Sequence, residues 1–201
     1  MEPGLDSPRR QPKGDKRDRT RTKLMEAARS LIREKGYEDT TLEAIAERAG
    51  MTTGAIYGNF KNRDELLIAL GQAYWPPIKP IVRTGATFPE IMRALADATL
   101  AAIPDRRAAA VGRLTGLAYA LTHEEFRAQV TEFTAQSYAF GERWLRSVTK
   151  AEDLPMPADQ LVRVIHVLTE GLVLQKLLTP ELVPDEVVRA AFAAVGQKAK
   201  D

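Results

Sequence analysis

The chain has 201 residues, 44% of them hydrophobic and 28% charged, which is typical of a globular protein with one core or two small ones. Its formal net charge is only +2, so bulk charge alone cannot account for binding to nucleic acid. It has no cysteine, no glycine-rich phosphate loop and only two histidines, far apart in sequence, so we expect neither an enzyme nor a cofactor or metal site.

The first segment, residues 1–19, is rich in proline, glycine and charge and has no apolar periodicity, so we predict a disordered basic arm. Arg17, Arg19 and Arg21 at the end of this arm can approach DNA phosphates or a minor groove, as basic arms do. The alternative is that the arm only keeps the chain in solution.

Residues 20–75 carry the pattern of a small helical domain. An apolar stripe from Leu24 to Ile32 predicts a first helix that Gly36 ends, and Thr40 with Glu43 fits a capping box for a second helix. Gly50 breaks the second helix before a very short third one. A helix, a tight glycine turn and a short helix are the plan of a helix-turn-helix.

The short third helix, from Thr52 to Phe60, is the predicted recognition helix. The free amides near Thr52 and Thr53 favour a phosphate or a base acceptor, although Thr52 can equally be only a cap. Gly54 and Ala55 lack bulk and allow the backbone close to the groove floor. A fourth helix follows from Arg63 toward Trp75, where two prolines end it.

Residues 76–201 read as a larger helical domain, and the whole chain as all-α with about nine helices. Thr87 and Glu90 form a capping box for a helix that Pro104 is predicted to end, and Asp105 can start the next. A long helix, His123 to about Thr149, turns one stripe inward throughout; it contains Phe126, Val130, Phe133, Ser137, Phe140, Trp144 and Val148.

The last two helices have the composition of a subunit interface. The segment Leu161 to Leu178 is apolar on more than one face, so a second copy of the chain would cover a large apolar patch, although burial within one chain is the alternative. The predicted interface residues are Val164, Leu168, Gly171, Leu172, Gln175, Val188 and Phe192.

The run GYEDTTLEAIAERAGMTTGAIYGNFKNRDELL closely resembles the DNA-binding region of the TetR family of bacterial transcriptional regulators. The resemblance rests on the order of its glycine, threonine, alanine and aromatic residues and covers about a quarter of the chain. It implies DNA contacts by Tyr57 and Asn59, and phosphate contacts by Thr41, Lys61 and Arg63, with Thr41 open to a simpler role in starting its helix.

The resemblance also implies a homodimer formed through the last two helices, a double-stranded DNA operator, and release from DNA by a small-molecule effector. Repression is the common mode in this family, so we expect a repressor, and an activator is the alternative. The implied pocket residues are Trp75, Tyr119, Phe133, Tyr138, Trp144 and His166, all of which can instead be ordinary core. A remaining alternative is a helical interaction or ligand-binding protein that keeps the helix-turn-helix as scaffold. We expect a cytoplasmic, nucleoid-associated protein without a membrane span.

Overall fold

The computed structural model describes residues 13–197, with side chains from residue 16 onward. Within that range every regular element is helical, which confirms the all-α prediction. The elements are α1 (Lys13–Lys35), α2 (Leu42–Arg48), α3 (Thr53–Tyr57), α4 (Arg63–Tyr74), α5 (Phe88–Thr122), α6 (Glu124–Val148), a 3-10 turn (Ala151–Asp153), α7 (Ala158–Leu178) and α8 (Asp185–Val195). The chain divides into two compact units between Leu70 and Gly71.

The predicted basic arm is partly helical. Residues 1–12 lie outside the described part of the chain, whereas residues 13–19, also predicted to be disordered, form the first turns of α1. The lysines and arginines of this stretch are good helix formers, and a helix nucleated by the apolar stripe that follows extends through them at little cost. Side-chain bonds within the helix, such as Thr20 Oγ1 to the Lys16 carbonyl at 2.9 Å, accompany these turns.

The first unit buries one small core made by α1 to α4. Leu24, Ile45, Ile56, Phe60 and Leu66 are all fully buried. The two glycines predicted to end helices do so with positive φ, Gly36 at +86° after α1 and Gly50 at +65° after α2, where a residue with a side chain would be strained.

The start of α2 differs from the predicted capping box. The N-cap is Thr41, whose Oγ1 accepts a bond from the Ala44 amide at 3.2 Å. Thr40 is fully buried and donates its hydroxyl to the Gly36 carbonyl at 2.7 Å. The two adjacent threonines thus have different roles: Thr40 closes the turn after α1, and Thr41 caps α2.

The second unit is organised around α5, which packs against α6, α7 and α8. Its fully buried residues include Ile91 and Met92 of α5, Leu161 of α7, and Phe192 of α8. The predicted capping box begins α5: the Thr87 amide and hydroxyl both donate to Glu90 Oε2, at 2.7 and 2.8 Å. The bond from the Thr87 amide, then those from Arg83 and the Thr87 hydroxyl, lower the pKa of Glu90 to about 2.

The predicted break at Pro104 is wrong, because α5 runs unbroken from Phe88 to Thr122 with Pro104 inside it. Asp105 therefore caps no new helix, and the described part of the chain has eight α-helices where about nine were predicted. Proline removes one backbone bond and crowds the preceding turn. The alanine-rich sequence on both sides, AAIPDRRAAA, favours helix strongly enough to continue through it.

The predicted inward stripe of α6 is only partly correct. Phe126 is buried and Trp144 and Val148 pack at the edge of the core, but Phe140 is 50% exposed, and Leu145 is buried in addition. An ideal helix turns slightly less per residue than a repeat of alternating three and four residues requires, so the buried face drifts along a long helix.

No helix among residues 13–197 combines the length and the low polarity that a membrane crossing requires.

Candidate nucleic-acid interface

The turn between α2 and α3 fixes how α3 is presented. The Met51 amide donates to the Ala46 carbonyl at 2.8 Å, and the Gly50 amide to the Glu47 carbonyl at 2.9 Å. This pair of bonds is a Schellman motif, which is why the chain needs glycine at position 50. Thr52 then caps α3 as predicted, with its Oγ1 accepting from the Ala55 amide at 3.2 Å.

One side of α3 is buried and the other faces solvent. Ile56 is fully buried, while Thr52, Thr53 and Gly54 are exposed and Ala55 is half-buried. Tyr57 leaves half of its surface exposed. The five-residue helix α3 therefore exposes Thr53, Gly54 and Tyr57 to a binding partner outside the protein.

Tyr57 already has a partner within the protein. Its hydroxyl donates to Glu43 Oε1 of α2 at 2.9 Å. The pKa of Glu43 is lowered by hydrogen bonds, first from its own backbone amide and then from Tyr57, and the Glu43 carboxylate raises the pKa of the Tyr57 phenol. The phenol is thus oriented by a carboxylate that lies on the same solvent-facing side of the helix-turn-helix.

Asn59, which the resemblance assigns to a DNA contact, makes its hydrogen bonds within the protein. It is half-buried and folds back, with Nδ2 donating to the Ala55 carbonyl at 2.8 Å, and its Oδ1 is buried without a partner among the described residues. In this conformation the amide is engaged within the protein, so a contact with DNA requires the side chain to turn outward. Its main-chain carbonyl is also occupied, because Arg21 Nη1 donates to it at 2.8 Å.

The predicted basic contacts lie in two places, on α1 and around the start of α4. Arg17 and Arg21 are four residues apart on α1 and share a face, whereas Arg19 lies on a different one. Arg21 also places its guanidinium 4.2 Å from the centre of the Phe60 ring, so α1 contacts the turn between α3 and α4.

The other two predicted cations lie around the start of α4. Lys61 is exposed, and its backbone amide donates to Glu65 Oε2 at 2.7 Å. Arg63 is half-buried and donates from Nη1 to the Glu38 carbonyl at 3.1 Å. Thr41, the predicted phosphate contact of α2, is exposed at the helix start that it caps.

The six aromatic and histidine residues predicted to line a pocket all lie in the second unit. Tyr119 stacks on His123 at 3.7 Å between ring centres, Tyr138 meets the His166 ring edge-on at 5.3 Å, and Trp144 packs against the core. Phe133 is half-buried. Burial lowers the pKa of His166.

Trp75 belongs to a polar group that the sequence reasoning missed. Its Nε1 donates to Glu170 Oε1 at 2.8 Å, and the guanidiniums of Arg106 and Arg113 lie 4.5 and 5.8 Å from its ring centre. An available signal was the acidic residue Glu170 in the middle of a helix that is apolar on more than one face, because such a charge needs a partner.

The predicted interface residues divide into two groups. Val188 and Phe192 are buried in the core of their own chain, so their assignment to a dimer surface is wrong. Val164 is 39% exposed, Gly171 and Gln175 are exposed, and Leu168 and Leu172 are half-buried at the edge of the core. Val167 and Leu178, which were not predicted, are more than 60% exposed on the same helix.

The fold and the exposed α3 define an all-α helix-turn-helix protein. Residues 24–70 match the model of bacterial regulatory proteins of the tetR family. The match covers the helix-turn-helix region, and the resemblance of that region to the TetR family, inferred from the sequence, is confirmed.

Two relatives show how far the similarity extends. The transcriptional regulator TtgR of Pseudomonas putida is 49% identical over 51 residues, 25% of this chain, and the match spans about a quarter (24%) of TtgR. The transcriptional repressor AcnR of Corynebacterium efficiens is 28% identical over 157 residues, 78% of this chain and 79% of AcnR. These relatives are named as regulators, in agreement with the prediction that the chain is not an enzyme.

The fold extends beyond the helix-turn-helix. The structure of SmeT in complex with triclosan superimposes with a TM-score of 0.59 at 21% identity, covering 88% of this chain and 91% of that one. At this identity the likeness concerns the fold alone.

Proposed function

We propose that the protein is a ligand-responsive transcriptional repressor that binds a pseudo-palindromic operator as a homodimer and is released by a small-molecule effector. The observation that carries the proposal is α3, a capped single turn and a half of helix whose apolar side is locked into the first unit and whose Thr53, Gly54 and Tyr57 face solvent. Such a helix fits a major groove, and two copies related by a two-fold axis fit successive grooves.

A dimer is supported by an exposed apolar line on α7. Val164, Val167, Gly171 and Leu178 are spaced three, four and seven residues apart and therefore lie on one helical face. Among residues 13–197, no atom from outside the surrounding turns of α7 lies within 4 Å of a Cβ added at Gly171, which leaves room for a second helix. Covering this line with its symmetry mate removes apolar surface from water.

Repression and a small-molecule response are supported by comparison. AcnR is named as a repressor, and SmeT forms a complex with triclosan. An effector that binds better to the state in which the spacing of the two recognition helices does not match the operator weakens DNA binding. Bound DNA weakens effector binding by the same coupling free energy.

The test is an electrophoretic mobility shift with DNA from upstream of the protein's own gene, against scrambled DNA of equal length, at several salt concentrations. We expect a preference for the natural DNA. Lys61→Gln should weaken binding to both DNAs and reduce the salt slope by about one unit. Lys150→Gln, which removes an exposed cation of the second unit, is the matched control and should change neither. Equal binding of natural and scrambled DNA under all conditions would contradict the proposal.

A further inference from the structure

Two arginines of α5 meet at Trp75 inside the second unit. Arg106 is only 4% exposed; its Nη2 donates to the Pro76 carbonyl, and its guanidinium carbon lies 4.5 Å from the centre of the Trp75 ring. Arg113 follows seven residues later, two helical turns along the same face, with its guanidinium carbon 5.8 Å from that ring.

One carboxylate serves this pair. Glu170 accepts from Arg113 Nη2 through Oε2 at 3.1 Å and from Trp75 Nε1 through Oε1 at 2.8 Å. Asp105, next to Arg106 in the chain, is exposed to solvent, and burial lowers the pKa of nearby His166, which favours its neutral form. Two cations of this partly buried group therefore face one anion, and the remaining positive charge is opposed only by Asp105, whose attraction for Arg106 is screened by solvent.

The positive charge coincides with unused hydrogen-bond donors. Arg106 Nη1 and Arg113 Nε are both buried and have no partner among residues 16–197. Buried guanidinium donors normally have acceptors, because a buried donor without one has lost its hydrogen bonds to water and gained none within the protein. The two unused donors belong to two different arginines of the same cluster, so a single acceptor group between them is the simplest way to satisfy both.

We propose that Arg106 and Arg113 form the recognition site for a small organic monoanion whose carboxylate accepts hydrogen bonds from Arg106 Nη1 and Arg113 Nε. This inference deepens the proposed ligand response and rests on it. A singly charged ligand neutralises the cluster, whereas a dianion such as sulfate would leave an excess negative charge half-buried. The planar fork of arginine matches the two oxygens of a carboxylate, which makes carboxylic acids the favoured class.

The same site connects ligand binding to the start of the unit. A carboxylate bound at Arg113 Nε places a second negative charge beside Glu170, which accepts from Nη2 of the same arginine and from the Trp75 indole. Trp75 directly follows Tyr74, the last residue of α4. Anion binding is therefore expected to change the environment of Trp75 directly.

This property provides the assay. The chain has two tryptophans, so the full-length Trp144→Phe variant reports on Trp75 alone. We expect benzoate and hexanoate to change its fluorescence saturably at concentrations up to about 50 mM, since fragments of this size bind in the millimolar range. Benzamide, which has the shape of benzoate without its charge, and sodium sulfate at matched ionic strength should produce no saturable change.

Substitutions assign the response to the two arginines. Arg106→Gln and Arg113→Gln should raise the dissociation constant for benzoate at least about ten-fold, as expected for loss of a charge-assisted bond. Arg107→Gln removes the exposed neighbouring cation and should leave it unchanged. Circular dichroism verifies the fold of each variant, and should both arginine variants misfold, the comparison of benzoate with benzamide on the parent protein still decides.

The outcomes separate this inference from the proposed function. Equal responses to benzoate and benzamide, no saturable response to either carboxylate, or an unchanged dissociation constant in folded Arg106→Gln would overturn the anion site even if the protein binds its operator. Saturable carboxylate binding in a protein without operator preference would leave the anion site standing and remove the regulatory role.

Discussion

Tyr57 can donate its hydroxyl to a DNA phosphate only by leaving Glu43, which accepts the same proton at 2.9 Å. The carboxylate also places a negative charge beside the surface that would face the phosphates. The Tyr57–Glu43 pair therefore works against DNA binding in the free protein, while keeping the phenol oriented.

We predict that Glu43→Gln raises the affinity for natural and scrambled DNA alike, by roughly several-fold at low salt, because it removes a charge that repels phosphates. Tyr57→Phe should lower the affinity, because the phosphate bond is lost. Fluorescence anisotropy with labelled DNA measures both changes, and Glu125→Gln, an exposed carboxylate of α6, is the control. Weaker binding by Glu43→Gln would mean that orienting the phenol matters more than the charge.

At this scale the sequence predicts exposure better than partners. The helical period places Ile56 inside and Thr53 and Tyr57 outside, as found. It does not predict that the Asn59 amide turns back to the Ala55 carbonyl, or that Arg106 and Arg113 meet Trp75. Such pairings depend on distances across the fold, which no local pattern contains.

Among the helices, α6 and α7 approach closely at a glycine that the sequence did not single out. A Cβ on Gly141 would lie 3.1 Å from Val162 Cγ1, and the β-branched valine has little freedom to move away. Gly112 of α5 is different, because a Cβ added there would have no neighbouring atom within 4 Å.

We expect overpacking in Gly141→Ala to lower the free energy of unfolding by about 1–3 kcal/mol. The higher helix propensity of alanine should offset roughly 0.5–1 kcal/mol of this loss. Gly112→Ala should instead stabilise by about 0.5–1 kcal/mol, since only propensity changes. Urea denaturation with unchanged m-values tests the pair. Equal effects at both positions would show that Val162 yields without strain.

Helices α1 and α2 are joined by an ion pair with two parallel bonds, from Arg48 Nη1 and Nη2 to the two Glu34 oxygens at 2.7 and 2.8 Å. The hydrogen bond from Arg48 is the main cause that lowers the pKa of Glu34 from 4.5 to about 2. A lowered carboxyl pKa stabilises the folded state fully above the unfolded value, and this contribution disappears as pH falls through the folded value.

The denaturation midpoint of the wild type should therefore exceed that of Glu34→Gln by a constant amount above pH 4.5, and the gap should shrink between pH 4.5 and about 2. Urea titrations at pH 7, 4.5 and 3 measure it. Since the pair is exposed, added salt should also reduce the gap. A gap independent of pH would show that the pair does not stabilise the fold.

The helix boundaries that the sequence predicts well are those with a local chemical cause. Gly36 and Gly50 end helices, and Pro76 with Pro77 follows α4. Pro104 is the exception, because a proline stops a helix only when the flanking residues do not favour continuing it, and here alanines do.

For the molecule as a whole, the central prediction is that two copies associate through the exposed line of α7. Val167→Glu would bury an unpaired carboxylate in such an interface and should raise the dimer dissociation constant at least about a hundred-fold. Val111→Glu on α5 is the matched control, because both valines are 66% exposed. Sedimentation velocity measures the association state, and a dimer that survives Val167→Glu would place the interface elsewhere.

The apolar pattern of α7 and α8 predicts that they take part in association, but it does not predict which of their faces packs into the core. Val188 and Phe192 satisfy the core of their own chain, while the line through Val167 remains outside. Both faces are apolar in sequence, so only the packing against α5 distinguishes them.

The proline within α5 has a mechanical consequence. Pro104 has no amide hydrogen, so the Leu100 carbonyl lacks its usual intrahelical donor. The 35-residue helix α5 is therefore weakened at this one point, which we call the proline joint. The segment before the proline joint carries much of the buried core, and the segment after it carries the two arginines near Trp75. Deuterium uptake should accordingly separate α5 into two blocks that open independently, with occupancy of the arginine site slowing exchange in the later block alone.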